Sequence, residues 1–170
     1  MTKIAVFTKW IKVSVSVLLT ASFLTGCGFH LRGDYLLPDE MQTLYVSSQD
    51  PHGELTRFVK SNLKDNDVKV LNKSSTNIPE LRILKDSLNR RTLSLFENGQ
   101  VAEYELTYSV RYEIRFENTD NQHHSFEITR NYQEDPDRAL AKTRELSLLR
   151  KEMRIEAANT ILRNLATTEL

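Results

Sequence analysis

Cys27 is the residue of this sequence with the most distinctive potential chemistry, because it is the only cysteine and its sulfur can be acylated. It follows two small residues, and an apolar segment from Val13 to Leu24 precedes them. Three lysines and no acidic residue lie upstream of that segment. This pattern is typical of a secretory signal, and the apolar segment is shorter than the roughly 20 residues that span a bilayer. We therefore expect residues 1–26 to be a signal peptide that is removed.

The sequence Leu-Thr-Gly-Cys at positions 24–27 resembles a bacterial lipobox. In such signals the Cys sulfur takes a diacylglyceryl group, the chain is cleaved before the Cys, and the new α-amine is acylated. The resemblance implies S-diacylglycerol and N-acyl groups on Cys27, with no other cofactor. Gly28 is not the Asp that retains such lipoproteins in the inner membrane, which implies the outer membrane. The alternative is an ordinary signal peptide with a chance cysteine near its end.

Length and composition predict one domain behind this anchor. Removal of residues 1–26 leaves 144 of the 170 residues, enough for a hydrophobic core. It also leaves 20 basic and 23 acidic residues, a net charge of −3. The mature chain therefore lacks the excess of positive charge that is typical of nucleic-acid-binding proteins. We expect residues 27–40 to be the acylated cysteine and a tether, and residues 41–170 to be a single α+β domain.

The first part of this domain predicts a strand and a helix. Residues 43–46 form a short apolar run that favours a strand. Asp50 followed by proline is typical of a helix start, and apolar residues at helical spacing predict a helix over residues 51–65 that ends at Asn66. Residues 68–77 are interpreted as a connection.

The middle of the chain predicts a long hairpin. Residues 78–94 favour a strand with a bulge within Asp86–Arg91. Asn98-Gly99 predicts a two-residue turn with positive φ at both positions. The next strand alternates apolar and polar residues, which indicates one face on a core and one in water. The apolar set is Ala102, Tyr104, Leu106, Tyr108, Val110, Tyr112, Ile114 and Phe116, and the polar set is Glu103, Glu105, Thr107, Ser109, Arg111, Glu113, Arg115 and Glu117. We expect the tyrosines at 104, 108 and 112 to be buried and the glutamates at 103, 105 and 113 to be exposed.

The last part predicts a strand and a long helix. A polar turn over residues 118–124 leads to an antiparallel strand from Phe126 to Tyr132. Asp135 followed by proline again marks a helix start, and the helix is expected to reach about Leu165. Its apolar stripe consists of Leu146, Leu149, Met153, Ala157, Ala158, Ile161, Leu162 and Leu165. The predicted fold is α+β and two-layered, with two helices on one face of a four-stranded mixed sheet in the order β-α-β-β-β-α.

No pattern of catalytic or metal-binding residues emerges. The sequence lacks a serine-hydrolase elbow, a His-Glu-x-x-His motif, a phosphate-binding glycine loop and an EF-hand. His123 and His124 are expected in the polar turn with side chains pointing apart, and His30 and His52 are expected to be isolated and exposed. The prediction is a protein that is not an enzyme and binds no metal.

Several segments resemble the LptE family of lipopolysaccharide-assembly lipoproteins. They are the lipobox with Cys27-Gly-Phe-His-Leu-Arg-Gly33, then Phe96-Glu-Asn-Gly-Gln100 and Ala102-Glu-Tyr104, then Asn131-Tyr132 through Asp135-Pro136 to Ala139-Leu-Ala-Lys142, and Lys151-Glu152-Met153. The resemblance covers nearly all of the mature chain. It implies two helices on a four-stranded sheet, a plug inside the LptD β-barrel in a 1:1 complex, assistance to the assembly of that barrel, and lipopolysaccharide binding.

The resemblance also implies candidate lipopolysaccharide-binding residues. The family's basic residue in Ala-Leu-Ala-Lys matches Lys142, but the basic residue before the Asn-Gly-Gln turn is Glu97 here. Neighbouring cations that can replace the missing charge are Arg90, Arg91, Arg138 and Arg144. Two alternatives to the barrel plug remain open, a scaffold of another envelope complex and, less favoured, a lipid-anchored envelope hydrolase.

The first prediction concerns the anchor. Replacing Cys27 by Ala removes the acylation site and leaves the domain sequence intact, so the variant should fold but lose its membrane attachment. Fractionation of cells that lack the barrel partner measures this attachment. A Cys27→Ala variant that still sediments with membranes would contradict the lipobox interpretation.

Overall fold

A computed structural model describes residues 37–117 and 120–168 of the chain. The predicted signal peptide, Cys27 with its acyl groups, His30 and most of the predicted tether lie outside the described residues. Within them, five strands and two α-helices form one α+β arrangement. They are β1 Thr43–Ser48, α1 Glu54–Asp65, β2 Lys69–Leu71, β3 Glu80–Leu95, β4 Val101–Arg115, β5 Gln122–Gln133 and α2 Ala139–Ala166. Short 3₁₀ turns occupy Asp39–Met41 and Pro136–Arg138.

The five strands form one mixed sheet in the order β2-β1-β3-β4-β5. β1 pairs in parallel with both β2 and β3, and β3, β4 and β5 pair antiparallel. The predicted class, two helices on a mixed sheet, is confirmed, but the predicted four strands are one too few. The missed strand is β2, which lies in the segment interpreted as a connection. Three residues are too few to show the alternation that reveals a strand.

β4 lies inside the sheet between the two longest other strands, and its alternate residues build the core. Tyr108 and Tyr112 are buried as predicted, whereas Tyr104 nearer the turn is only half-buried. The Tyr112 hydroxyl accepts a hydrogen bond from the Asn164 side chain of α2 at 2.9 Å. Apolar residues of both helices join the same buried cluster, so both helices cover this face of the sheet. The buried helix residues are Leu55, Val59, Leu63, Met153, Ala157, Ala158, Ile161, Leu162 and Leu165.

A bulge at Leu84 divides β3 into two parts. Ile83 pairs with Tyr112 and Lys85 pairs with the next residue of β4, Arg111, so Leu84 has no cross-strand partner. The extra residue changes which side chains face the helices: Leu81 and Ile83 before it, and Leu88 after it, all pack in the core. The predicted bulge within Asp86–Arg91 was therefore placed too late. A second irregularity lies between Thr92 and Leu95.

The turn between β3 and β4 has three residues rather than the predicted two. Gly99 has φ +81°, whereas Asn98 is not among the described residues with positive φ. The Gly99 N–H donates to the Phe96 carbonyl at 2.9 Å and the Phe96 N–H donates to the Gln100 carbonyl at 2.8 Å. This is a type I turn followed by a left-handed glycine, which needs positive φ at only one position.

Both predicted helix ends are confirmed, but each α-helix begins three residues later than predicted. α1 ends at Asp65 with Asn66 as its C-cap, as predicted, but it begins at Glu54, because Asp50–Gly53 forms a separate turn closed by a Gly53 N–H bond to the Asp50 carbonyl at 3.2 Å. Asp135 caps the 3₁₀ turn Pro136–Arg138, its carboxylate accepting from the Asp137 N–H at 3.1 Å, and α2 follows from Ala139. α2 is buried only from Met153 onward, and its first half is largely exposed.

His123 and His124 belong to β5, so the predicted polar turn over 118–124 ends earlier than expected. Their side chains point to opposite faces, as consecutive strand residues do. His124 stacks on the Tyr112 ring with 5.0 Å between centroids, and within the described chain its buried Nε2 has no hydrogen-bond partner. Burial lowers the pKa of His124, and the adjacent His123 lowers it further. His52 is exposed as predicted.

This environment gives the fold a pH dependence. A histidine whose pKa is lower in the folded chain than its unfolded value of about 6.5 takes up its proton first in the unfolded state. The contribution of His124 to stability is therefore complete above about pH 6.5 and is lost as the pH falls. His124→Phe keeps the ring on Tyr112 and removes the titration, so its urea midpoint should fall less between pH 7 and pH 5 than that of the wild type. His52→Phe is the matched control and should follow the wild type; a His124→Phe midpoint that falls in parallel with both would contradict this assignment.

Candidate functional site

The sheet face that points away from the helices, called the polar face below, is the first candidate surface. Its side chains on β3, β4 and β5 form cross-strand rows. From the β1 end towards the turn these are Arg82–Glu113–His123, Lys85–Arg111–Ser125, Ser87–Ser109–Glu127, Asn89–Thr107–Thr129 and Arg91–Glu105–Asn131. Every side chain in them is polar. The rows therefore form a continuous polar ladder along most of the sheet.

Glu113 is the central residue of the first row and is buried, contrary to the prediction that it would be exposed. It is 4% exposed, although it lies on the polar face. The Arg115 Nε donates to its Oε1 at 2.6 Å, and the Arg82 guanidinium and His123 Nδ1 lie 3.7 and 3.4 Å from its carboxylate. Long side chains from neighbouring positions cover it. Alternation predicts which face of a strand a side chain lies on. It does not predict whether long side chains from neighbouring positions cover that side chain, so the sequence did not reveal the burial of Glu113.

Lys142 is the candidate lipid-binding residue with the most defined surroundings. Its side chain is 15% exposed and lies with Nζ 4.6 Å from the centre of the Tyr132 ring. Nζ donates to the Glu145 carboxylate at 2.8 Å, and the Tyr132 hydroxyl donates to the Lys142 backbone carbonyl at 2.8 Å. Burial is the main cause that raises the pKa of Tyr132. Lys142 is thus held against the covered side of β5, and its carboxylate partner is Glu145 rather than Glu97.

Lys142 lies near the hairpin turn, as predicted from the antiparallel path of the strands. It lines a groove of about 420 Å³ together with Phe96 of the turn and Arg138 before α2. Four acidic side chains line the same groove, namely Glu134, Asp135, Asp137 and Glu145. The groove therefore combines two cations and one exposed aromatic ring with an excess of carboxylates.

The structure separates the other candidate arginines from this groove. Arg91 lies on the polar face, where its Nη2 and Nε donate to Glu105 at 2.9 and 3.1 Å. Arg90 points to the covered face and stacks on the Tyr104 ring at 4.2 Å. Arg144 is exposed on α2 and is not part of the groove lining. Of the predicted set, only Arg138 and Lys142 are brought together.

Two cations of the polar face, Lys85 and Arg111, were missed by sequence reasoning. They lie directly opposite each other only because of the bulge at Leu84. A prediction that places the bulge within Asp86–Arg91 gives Lys85 a different partner and hides the pair.

The described part of the chain shows neither a metal site nor a spanning helix. No group of three or more His, Cys, Asp or Glu side chains there is arranged to hold a metal ion. No helix in the same residues combines the length and apolarity needed to cross a membrane.

Comparisons with known proteins agree with this architecture. Residues 41–165 match the family model for LptE, described as lipopolysaccharide-assembly. The LPS-assembly lipoprotein LptE of Pectobacterium atrosepticum is 38% identical over 156 residues, which cover 91% of this chain and 83% of that protein. The LptE of Photorhabdus laumondii is 36% identical over 155 residues with the same two coverages.

Solved structures show the same fold. The crystal structure of rare lipoprotein B from Shewanella oneidensis superposes with a TM-score of 0.68 at 45% identity, covering 74% of this chain and 94% of that one. The solution structure of lipoprotein B from Nitrosomonas europaea gives 0.67 at 27% identity, covering 82% and 90%.

The fold, with two helices on a mixed sheet and a long hairpin, is that of the α+β domains of bacterial lipoproteins. Because the family model spans most of the chain and the relatives exceed 30% identity over nine-tenths of it, the chain belongs to the LptE family of lipopolysaccharide-assembly lipoproteins.

The Glu113 cluster generates a prediction about stability. Glu113→Ala removes a buried carboxylate that accepts charged hydrogen bonds, so we expect a loss of about 1.5–3 kcal/mol in the free energy of unfolding. The matched control Glu105→Ala removes a more exposed carboxylate whose partner among the described residues is Arg91, and should cost about 0–1 kcal/mol. Urea unfolding measures both, and equal losses would contradict the special role of Glu113.

Proposed function

We propose that this chain is a lipid-anchored outer-membrane assembly protein. Anchored through Cys27, it occupies the lumen of the LptD β-barrel in a 1:1 complex, helps that barrel to assemble, and binds lipopolysaccharide during delivery to the cell surface. The domain lies in the periplasm and the barrel lumen and performs no catalysis. The observation that carries the proposal is membership of the LptE family across residues 41–165.

The polar face supports the role of a plug. The lumen of an outer-membrane barrel is polar, in contrast to its lipid-facing exterior. The five cross-strand rows present only polar side chains to such a wall. β4 has 15 residues and extends about 50 Å at roughly 3.3 Å per residue, which gives the domain the elongated element that a plug requires.

The groove at Lys142 supports contact with a charged lipid. Exposed apolar side chains cluster in the same part of the chain, with Phe96 at the turn and Leu140 in the first turn of α2, the latter 83% exposed. Lys142 and Arg138 supply cations beside them for the phosphate groups of lipopolysaccharide. The carboxylates of the groove repel those phosphates, so lipid binding should depend on the balance of positive and negative charges in the groove.

Co-purification with the barrel tests the plug role. The tagged full-length lipoprotein is expressed in its own cells at its natural level and isolated in detergent. We expect LptD to accompany it at equal stoichiometry. Isolation of the lipoprotein without LptD, or with a different envelope complex, would contradict the proposal and favour the alternative of a scaffold elsewhere in the envelope.

Charge reversals at the groove test lipid binding. Lys142→Asp should weaken lipopolysaccharide binding and Glu97→Arg should strengthen it, each by about three- to tenfold, which corresponds to roughly 0.7–1.4 kcal/mol for one partly screened charge. Both effects should shrink at high salt. The exposed Lys64 of α1 provides the control Lys64→Asp, which should leave binding unchanged. If neither Lys142→Asp in the groove nor Glu97→Arg in the adjacent turn alters affinity, the groove is not the lipid site, whereas the plug role stands independently.

A further inference from the structure

Lys85 and Arg111 are the unpaired cations of the polar-face rows. They are direct cross-strand partners, yet within the described residues neither has an ion pair or a hydrogen bond from its side chain. The other arginines of these rows are paired, Arg82 with Glu113 and Arg91 with Glu105. Like charges directly opposite each other in a sheet are destabilising. The chain therefore maintains two neighbouring positive charges without internal compensation.

The surroundings of this pair form a shallow depression rather than a flat surface. Small side chains at Ser87, Ser109 and Ser125 leave a volume of about 500 Å³ beside the two cations. The Ser87 and Ser125 hydroxyls have no hydrogen-bond partner among the described residues. These two hydroxyls can therefore donate hydrogen bonds to a ligand next to the charged pair.

One acidic group borders the depression. Glu127 lines its edge, and the Ser109 hydroxyl donates to the Glu127 carboxylate at 2.8 Å. Ser109 is thus committed to an internal bond. Because the Glu127 carboxylate repels anions, an anion can bind only on the side of the depression where Lys85 and Arg111 lie.

We propose that this depression binds a phosphate group of lipopolysaccharide, an inference that rests on the proposed function. A phosphate offers several acceptor oxygens and up to two negative charges. The guanidinium of Arg111 supplies a planar pair of donors, Lys85 a mobile point charge, and Ser87 and Ser125 two hydroxyl donors. A phosphate also replaces the repulsion between the two cations by attraction to both.

This site is separate from the groove at Lys142. Lys142 packs on Tyr132, which belongs to the buried cluster under the helices, whereas Lys85 and Arg111 lie on the opposite face of the sheet. The depression is recessed among small side chains, so a phosphate bound there would lie between the polar face and the barrel wall that the proposed plug meets.

The experiment compares two doubly substituted forms of the full mature lipoprotein in detergent. One carries Lys85→Gln and Arg111→Gln, and the matched control carries Lys64→Gln and Lys73→Gln, which removes the same charge from exposed lysines elsewhere. Binding of fluorescent lipopolysaccharide is measured with intact and with dephosphorylated lipid, at low and high salt, and in competition with inorganic phosphate. Urea midpoints verify that both variants fold.

We expect the Lys85/Arg111 variant to bind intact lipopolysaccharide about tenfold more weakly, with a smaller salt dependence, and the control to stay within about twofold of the wild type. Dephosphorylated lipid should no longer distinguish the variant from the wild type. The urea midpoint of the variant should be at least that of the wild type, since a like-charge pair has been removed.

Three results would overturn the site. The first is equal binding by the Lys85/Arg111 variant and the control. The second is that inorganic phosphate displaces the fluorescent lipopolysaccharide as effectively as unlabelled lipopolysaccharide does, which would indicate a site for free anions only. The third is an absence of lipopolysaccharide binding by the wild type, which would also remove lipid binding from the proposed function. Weakening by Lys142→Asp but not by the double variant would reject this site alone.

Discussion

The unpaired residue Leu84 sets the arrangement on which the rest of this structure depends. Side chains alternate along a strand with a period of two, so one extra residue exchanges the faces of all that follow. The bulge brings Leu88 into the same core as Ile83, five positions earlier. It also places Asp86 where its carboxylate accepts a hydrogen bond from the Tyr108 hydroxyl at 2.6 Å. Without it Leu88 would not share a face with Leu81 and Ile83.

The same shift defines the outer surface of the sheet. It moves Lys85 to the polar face, opposite Arg111 and away from the helices. The covered face thus carries the hydrophobic contacts that stabilise the fold, while the polar face carries in Lys85 and Arg111 two charges that the fold itself does not need. A cation pair kept at a cost in stability is typical of a binding surface, since selection for function tolerates such costs.

The sequence predicted structure correctly where a hydrophobic pattern repeats over many residues. It failed where the position or burial of a residue depends on the neighbouring strands. The alternation of β4 and the apolar stripe of α2 span many residues, and both predicted the correct faces. The bulge at Leu84 was misplaced because a single inserted residue has no sequence signature of its own. The burial of Glu113 depends on arginine side chains from other positions, and the pair Lys85–Arg111 depends on the register. The lipidation of Cys27, which rests on a local motif, lies outside the described residues and stays a prediction.

The claim that the polar face meets the barrel wall is tested most directly by thiol labelling at Thr129, an exposed residue of that face on the edge strand β5. The chain has no cysteine other than Cys27, whose sulfur is acylated in this account, so a maleimide reports only on the introduced thiol of Thr129→Cys. His52→Cys, in the exposed turn before α1, provides the reference. We expect Thr129→Cys to react readily in the free lipoprotein and to be strongly protected in the complex with LptD. Equal reactivity of Thr129→Cys in the free and complexed states would contradict the account.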